Sequence, residues 1–448
     1  MSVNRNIFYT FFSQIPTQIL SFLSGLFLVN LIGAEGRGVY GIILANIDLF
    51  AFFMGVSVNS GLAYFIPNEK IPRRKMFGLS LVIVFLGSIV TAILLWALYG
   101  SRFAAYVFTE NHATAYFFAI VFAGFGLTVI NTLFTGLFQG LKRFRLINQV
   151  NIGNSILNLT VFGGSFALDH YGYLELTVKE ALDLTIFILA ANTLIWLVAY
   201  LRSVRWLPDF RLDLKSVWKP YFAYIGPGHL SAMINFFNYR LDLWVLEYYY
   251  TSADVGIYAI AVGLAQRLWI LPNAMSLVLM PHLSGKQPGE ALDELRLLTR
   301  VNNSLLLLAM FIAVPISFIF FPLAYGAEFS ASVLPFQLLL PGIFFSCVAR
   351  IFSVYLSACG LVRFNLNATV IGLVVTFVFD FWLIPLYGAI GAGLATTATY
   401  FSMFAYTYYQ IHRHAGIGWE GLGVLGKADL GRMKGFFQGK GISGKSSN

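Results

Sequence analysis

KIPRRKMFGLSLVIVFLGSIVTAILLWALYG, residues 70–100, decides the fold. Behind the basic cluster Lys70/Arg73/Arg74/Lys75, residues 76–99 run without a single charge until Gly100. As a helix rising 1.5 Å per residue, such a run covers about 36 Å, enough to cross the ~30 Å hydrocarbon core of a bilayer. A segment this long is too long for a strand. Its basic end points to the cytoplasmic side of a membrane.

The same pattern recurs on both sides of it. Apolar runs fall at 7–32, 39–66, 76–99, 112–138, 146–168, 183–201, 220–246, 255–283, 301–323, 333–357, 364–386 and 389–411, with Gly or Pro at the breaks, as at Gly33, Pro72, Gly140, Pro208, Gly326 and Pro385. The composition agrees: 58% of residues are hydrophobic and 11% charged, with a mean hydropathy of +0.75, against about 25% charged residues in soluble domains. The expected fold class is therefore all-α membrane, about 12 transmembrane helices. No short apolar core with a small-residue cleavage site precedes the first run, so it reads as a span and not a signal peptide. The net charge of +9 does not indicate nucleic acid, because its distribution follows topology. Of 29 Lys and Arg, 23 fall on the side of the termini and even-numbered loops, three (Arg37, Arg102, Lys179) on the other, and three within spans. Both termini are thus expected in the cytoplasm, in a multi-pass protein of the cytoplasmic (inner) membrane.

The chain repeats itself. GRGVYGI at 36–42 returns as DVGIYAI at 254–260, and GLKRFRL at 140–146 as GLVRFNL at 360–366. YFIP ending at Pro67 corresponds to VLMP ending at Pro281, and Tyr171-Gly172 to Tyr387-Gly388. Four matches in order, at offsets of 214 to 220, imply two six-helix lobes of equal orientation, a parallel repeat around a central cavity. The expected domains are a lobe at 1–204, a cytoplasmic linker at 205–219, a lobe at 220–411 and a flexible basic tail at 412–448.

Polar groups inside the spans mark where function sits, since an ionisable group at bilayer depth costs at least ~2.5–3.5 kcal/mol. Arg267 lies roughly 18 Å from the end of its span, too deep to snorkel comfortably. Arg240 and Arg350 lie nearer to span ends, where snorkelling is as good an account as a cavity role. Asp48 corresponds in the repeat to Gln266, beside Arg267, so an Asp48–Arg267 contact is expected. Asn151, Asn154, Ser155 and Asn158 follow helical spacing and form one polar stripe. Its plainer reading is interhelical hydrogen bonding, worth ~0.6 kcal/mol per contact. The sharper reading is a hydrated face suited to sugar hydroxyls, to which Gln14, Gln18, Asn46, Asn59 and Asn131 add amides. Asp48, Asp242 and Asp380 are candidate ion-coupling carboxylates.

Other motif matches are accidents of composition. GKGISGKS at 439–446 fits a phosphate loop and GLGVLG at 421–426 a dinucleotide fingerprint, but neither has the flanking strand and helix that such loops need. Cys347 and Cys359 are about 18 Å apart along one helix, too far for a disulfide. His412 and His414 are two apart, poor geometry for a metal, and no metal or other cofactor is expected. Gly136 and Gly140 are spaced for a close helix contact.

Four segments then carry a family likeness: LIGAEGRGVYGI at 31–42, GLFQGLKRFRL at 136–146, RLDLWVLEYYYTSADVGIYAIA at 240–261, and LLLPGIFFSCVARIFSVYLSACG at 338–360 with IPLYGAIGAGLATT at 384–397. The chain resembles the polysaccharide transporter (Wzx-type) flippases of the multidrug/oligosaccharidyl-lipid/polysaccharide exporter superfamily. The resemblance implies translocation of an undecaprenyl-diphosphate-linked oligosaccharide, with Arg267 as the best match to a cavity arginine and Arg240 and Arg350 behind it. It also implies membrane lipids, a glycan polymerase and a chain-length regulator as partners, and no enzymatic activity. The related lipid II flippases carry several arginines in their first two spans, where this chain has only Arg5 and Arg37 at the ends, so that substrate is not implied. The alternatives are an ion-coupled drug/cation antiporter of the same superfamily, which needs an acidic cavity, and a membrane glycan polymerase or glycosyltransferase. The latter needs a large catalytic loop, and the longest periplasmic loop here is about 169–182.

Overall fold

The computed structural model describes residues 3–108, 113–204, 206–273, 275–276, 292–418, 422–426 and 429. Among these every regular element is a helix, and there is no strand. The helices are α1 (Val3–Met54), α2 (Val58–Asn68), α3 (Arg73–Leu98), α4 (Ala104–Phe108), α5 (Ala115–Gly140), α6 (Phe144–His170), α7 (Val178–Ser203), α8 (Lys219–Tyr249), α9 (Ser252–Ala265), α10 (Leu292–Tyr325), α11 (Val333–Ala358) and α12 (Val362–Ala415). A 3₁₀ turn, Gln266–Trp269, prolongs α9.

Among the described residues, eight segments are long and apolar enough to cross a membrane, and they hold ten of the twelve expected spans. The first, Gln14–Met54, and the last, Val362–His414, each hold two spans. They are continuous in hydrogen bonding but broken at Gly33 (φ 66°) and Gly388 (φ 56°), backbone angles that glycine reaches without a Cβ clash. The two remaining spans, α6 and α8, are long enough but too polar. They are the helices that carry the amide stripe and the Arg240/Asp242 pair. The second span is interrupted again between α1 and α2, where Val56 (φ 40°) and Ser57 (φ 49°) are left-handed. For β-branched Val56 that is a strained conformation.

The repeat is visible in the backbone. α5 ends with Leu141 N–H on Leu137 O (2.9 Å), Lys142 N–H on Gln139 O (2.9 Å) and Arg143 N–H on Phe138 O (2.9 Å). α11 ends with Cys359 on Tyr355 (3.0 Å), Gly360 on Ser357 (3.1 Å) and Leu361 on Leu356 (2.8 Å), the same C-terminal motif. These turns superpose at an offset of 218, not the 220 of the sequence likeness. Gly360 (φ 77°) therefore matches Lys142 (φ 57°) and not Gly140. Gly140 answers a different need. A Cβ there would lie 2.6 Å from Leu62 O, and one on Gly136 2.6 Å from the Asn59 Cα, so this pair does make the expected close helix contact, with α2. Tyr171-Gly172 and Tyr387-Gly388 also match, both glycines having positive φ. Pro281 lies outside the described residues.

At offset 218 the repeat meets itself. Gly38 on α1 packs against Ser252 and Gly256 of α9, and Gly256 packs against Ala34 and Gly38. Position 34 is the repeat partner of 252, and 38 of 256. The contact is thus its own mirror under the repeat, and it is backbone on backbone.

The chain forms two compact units, residues 1–259 and 260–448. The first unit includes the 205–219 linker. Asp209 N–H bonds Arg74 O (3.0 Å), and Lys75 lies 3.3 Å from Asp213; this bond, with one from Ser216, holds the Asp213 carboxyl below the usual carboxylate range. In the second unit, part of the tail expected to be flexible is fixed. α12 continues to Ala415, Ile417 is buried with Leu295 and Leu298, and the Asn303 side chain donates to Leu422 O (2.7 Å). Ser304 accepts from Leu425 N–H (2.8 Å), and buried Asp429 takes Arg300 at 3.1 Å. The described part of GLGVLG thus gives the Leu422 carbonyl and the Leu425 N–H to side chains of α10. The phosphate-loop match at 439–446 lies outside the described residues.

Candidate functional site

In the first unit, α8 is fastened to the α1–α2 region by polar contacts. Tyr221 donates to the Val56 carbonyl (2.9 Å), and His229 Nδ1 lies 3.1 Å from the Ser57 hydroxyl, so both brace the strained break. Further along, Arg240 lies 3.7 Å from Asp48, with both side chains about two-fifths exposed. Trp244 Nε1 donates to buried Asn46 (3.1 Å), whose amide donates to Val107 O of α4 (2.9 Å). The partner of Asp48 is therefore Arg240 where Arg267 was expected. Sequence offset carried no information on which helix faces Asp48.

Asp242, two residues from Arg240, points elsewhere, as a 200° rotation requires. It is buried and accepts from the Tyr258 phenol of α9 (2.6 Å) and from Leu243 N–H (2.9 Å). On α6, Ser155 is buried 3.5 Å from Ser21 of α1, while the Asn158 amide donates to Asn154 O within the helix (2.8 Å). Asn151 is exposed. The stripe is thus divided: one residue meets the neighbouring helix, one turns back on its own backbone, and one is open.

In the second unit, Gln266 and Arg267 open the 3₁₀ turn. Arg267 is exposed, with Tyr325 as an electrostatic neighbour. A 3₁₀ stretch inside a span often marks a functional distortion. Trp269, which closes that turn, donates from Nε1 to Ser346 of α11 (2.9 Å), and the Arg350 guanidinium lies 4.1 Å above its ring. Asp380 on α12 is buried, 1% exposed. The sequence reading singled out Asn46 among the amides but not Trp244 or Trp269, because neither carries a charge or an amide. For Trp269 there was a signal: it stands two residues after the deepest arginine.

A family model described as polysaccharide biosynthesis protein matches residues 3–287. Among solved structures, the chain is similar to the lipid II flippase MurJ in an inward closed conformation, with TM-score 0.71, 14% identity, and 96% of this chain and 93% of that one covered. It is also similar to an inward-facing multidrug resistance MATE family transporter of the MOP superfamily, with TM-score 0.62, 15% identity and 90% and 96% covered. A Vibrio cholerae MATE transporter, VcmN in its bent form, matches at TM-score 0.54 and 16% identity, with 94% and 98% covered. No curated protein sequence matches the chain. These structures share the two-lobe helical fold and are transporters, not enzymes.

Proposed function

Since the chain belongs to the polysaccharide biosynthesis protein family, we propose that it moves an undecaprenyl-diphosphate-linked oligosaccharide from the cytoplasmic to the outer leaflet of the inner membrane by alternating access, for surface polysaccharide (O-antigen, capsule or exopolysaccharide). The observation that carries this reading is the presence of guanidinium groups on membrane-spanning helices: Arg240 on α8, Arg267 after α9 and Arg350 on α11. A diphosphate crossing hydrocarbon needs a cationic, hydrated route. Gln266 and the amides Asn151, Asn154 and Asn158 are the proposed sugar-facing groups. The Lys and Arg asymmetry supports cytoplasmic termini.

A drug/cation antiporter would need carboxylates free to receive a cation. Asp48 is engaged by Arg240 and Asp242 by Tyr258, which favours the anionic cargo. Asp48, Asp242 and Asp380 stay the proposed groups for ion coupling, with Asp48 releasing Arg240 and Asp242 releasing Tyr258 on taking the ion. The test is a strain lacking the gene. Loss of surface glycan, with the lipid-linked intermediate accumulating in the inner leaflet, is expected; normal glycan with no accumulation overturns the proposal.

A further inference from the structure

Two helices of the second unit are cross-linked by two pairs of residues, each pair one turn apart. Trp269 and Asn273 stand on the segment following α9, Ser346 and Arg350 on α11. Trp269 Nε1 donates to Ser346 Oγ (2.9 Å), which itself donates to Ile343 O (2.9 Å). The Arg350 guanidinium carbon lies over the indole, 4.1 Å from its centre, with Nη1 3.5 Å from Asn273 Oδ1. The ring is thus fixed at its edge by one residue of α11 and carries another on its face.

Arg350 differs from the other cations in its company. Arg240 has Asp48 and Arg300 has Asp429, but among the described residues no carboxylate pairs with Arg350. Its Nε is buried without a hydrogen-bond partner. A snorkelling arginine stretches toward the end of its helix, here Ala358, about 12 Å away. This one is folded onto an indole instead. Stacking occupies the face of a guanidinium and leaves its N–H donors in the plane, in the fork that matches two oxygens of a phosphate.

We infer that Trp269 is a positioning residue that holds Arg350 edge-on for the diphosphate of the lipid-linked substrate, with Arg350 as the anion receptor of the second unit. The inference rests on the flippase reading above and adds to it the residue that aims the charge. Lysine at 350 would supply charge without the planar fork, and an aliphatic residue at 269 would leave the guanidinium unaimed.

The test uses the full-length protein in phosphatidylcholine nanodiscs, titrated with farnesyl diphosphate and with farnesol. Wild type is expected to bind the diphosphate at least ~tenfold more tightly than farnesol. Arg350→Lys is expected to weaken the diphosphate by about tenfold, since an ammonium keeps the charge but not the paired hydrogen bonds of the planar fork. Trp269→Leu should weaken it about three- to thirtyfold, the range of a cation–π contact, while Trp269→Phe, which keeps a ring face, stays within about threefold. Farnesol binding stays level in all three variants. If Arg350→Lys or Trp269→Leu binds the diphosphate like wild type, or if Trp269→Phe fails as Leu does, the positioning role is overturned while the flippase reading stands. If wild type does not prefer diphosphate to farnesol, both fall. Full displacement of farnesyl diphosphate by added phosphatidylglycerol would assign Arg350 to ordinary lipid headgroups and also overturn the inference.

Discussion

Alanine at Gly256 tests the self-meeting contact between α1 and α9. The new methyl would press on the Ala34 carbonyl oxygen, with the carbonyl carbon at 2.9 Å and the Gly38 nitrogen at 3.0 Å. Carbon atoms pack at about 3.5–4.0 Å, so on the carbonyl-carbon contact alone the helices must part by roughly 0.6–1.1 Å, and the oxygen requires more. Neither neighbour is the end of a side chain that could swing away. Overpacking of this kind costs ~1–3 kcal/mol, offset by up to ~1 kcal/mol from the better helix propensity of alanine. Gly263 is the control, because a Cβ there meets nothing within 4 Å on the same helix. The assay is thermal unfolding in detergent followed by intrinsic fluorescence, with surface glycan in cells as the functional readout. Gly256→Ala should melt several degrees below wild type and Gly263→Ala at or above it. Gly38→Ala should repeat the loss, and the double variant should lose less than the two losses added, since either one opens the same gap. If Gly256→Ala melts like Gly263→Ala, the backbone contact is refuted.

Three further outcomes are expected. Lys142→Gly, at a left-handed position whose repeat partner is already Gly360, should gain about 1 kcal/mol in detergent unfolding, and Gly360→Ala should lose about as much. Tyr221→Phe removes the donor to the Val56 carbonyl, costs about 1 kcal/mol, and should speed amide hydrogen exchange around residues 54–58 relative to the rest of α1. Arg300→Ala leaves the buried Asp429 carboxylate without its salt bridge, so limited proteolysis should cut the tail after residue 417 sooner; the loss is of the order of 3–5 kcal/mol for a buried pair, less here because Arg300 is a quarter exposed.

The spans were legible because twenty apolar residues in a row have few explanations, and their direction because basic residues crowd one side. The polar spans α6 and α8 were legible too, since their apolar background made each amide conspicuous. Pairing across helices was not. Asp48 was matched with Arg267 and lies against Arg240, because rotational setting depends on packing partners that sequence spacing does not encode. The repeat was found two residues out of register at 140–146, because glycine in the first copy serves close packing and glycine in the second serves a turn. Trp269 was passed over for a third reason: its importance lies in what Arg350 and Ser346 bring to it from another helix, Ser346 being 77 positions away in sequence.

The contact in which 38 meets 252 while 256 meets 34 has the form of an interface between two copies related by a two-fold rotation. In a true homodimer every substitution is made twice, so an acidic group on one side appears on the other as well, and two like charges face the same substrate. Joining the copies in one chain removes that constraint. Position 48 can be aspartate while its counterpart 266 is glutamine, and only one side answers to arginine. A fused pair can therefore keep one backbone plan in both copies while the side chains at equivalent positions carry unequal charge.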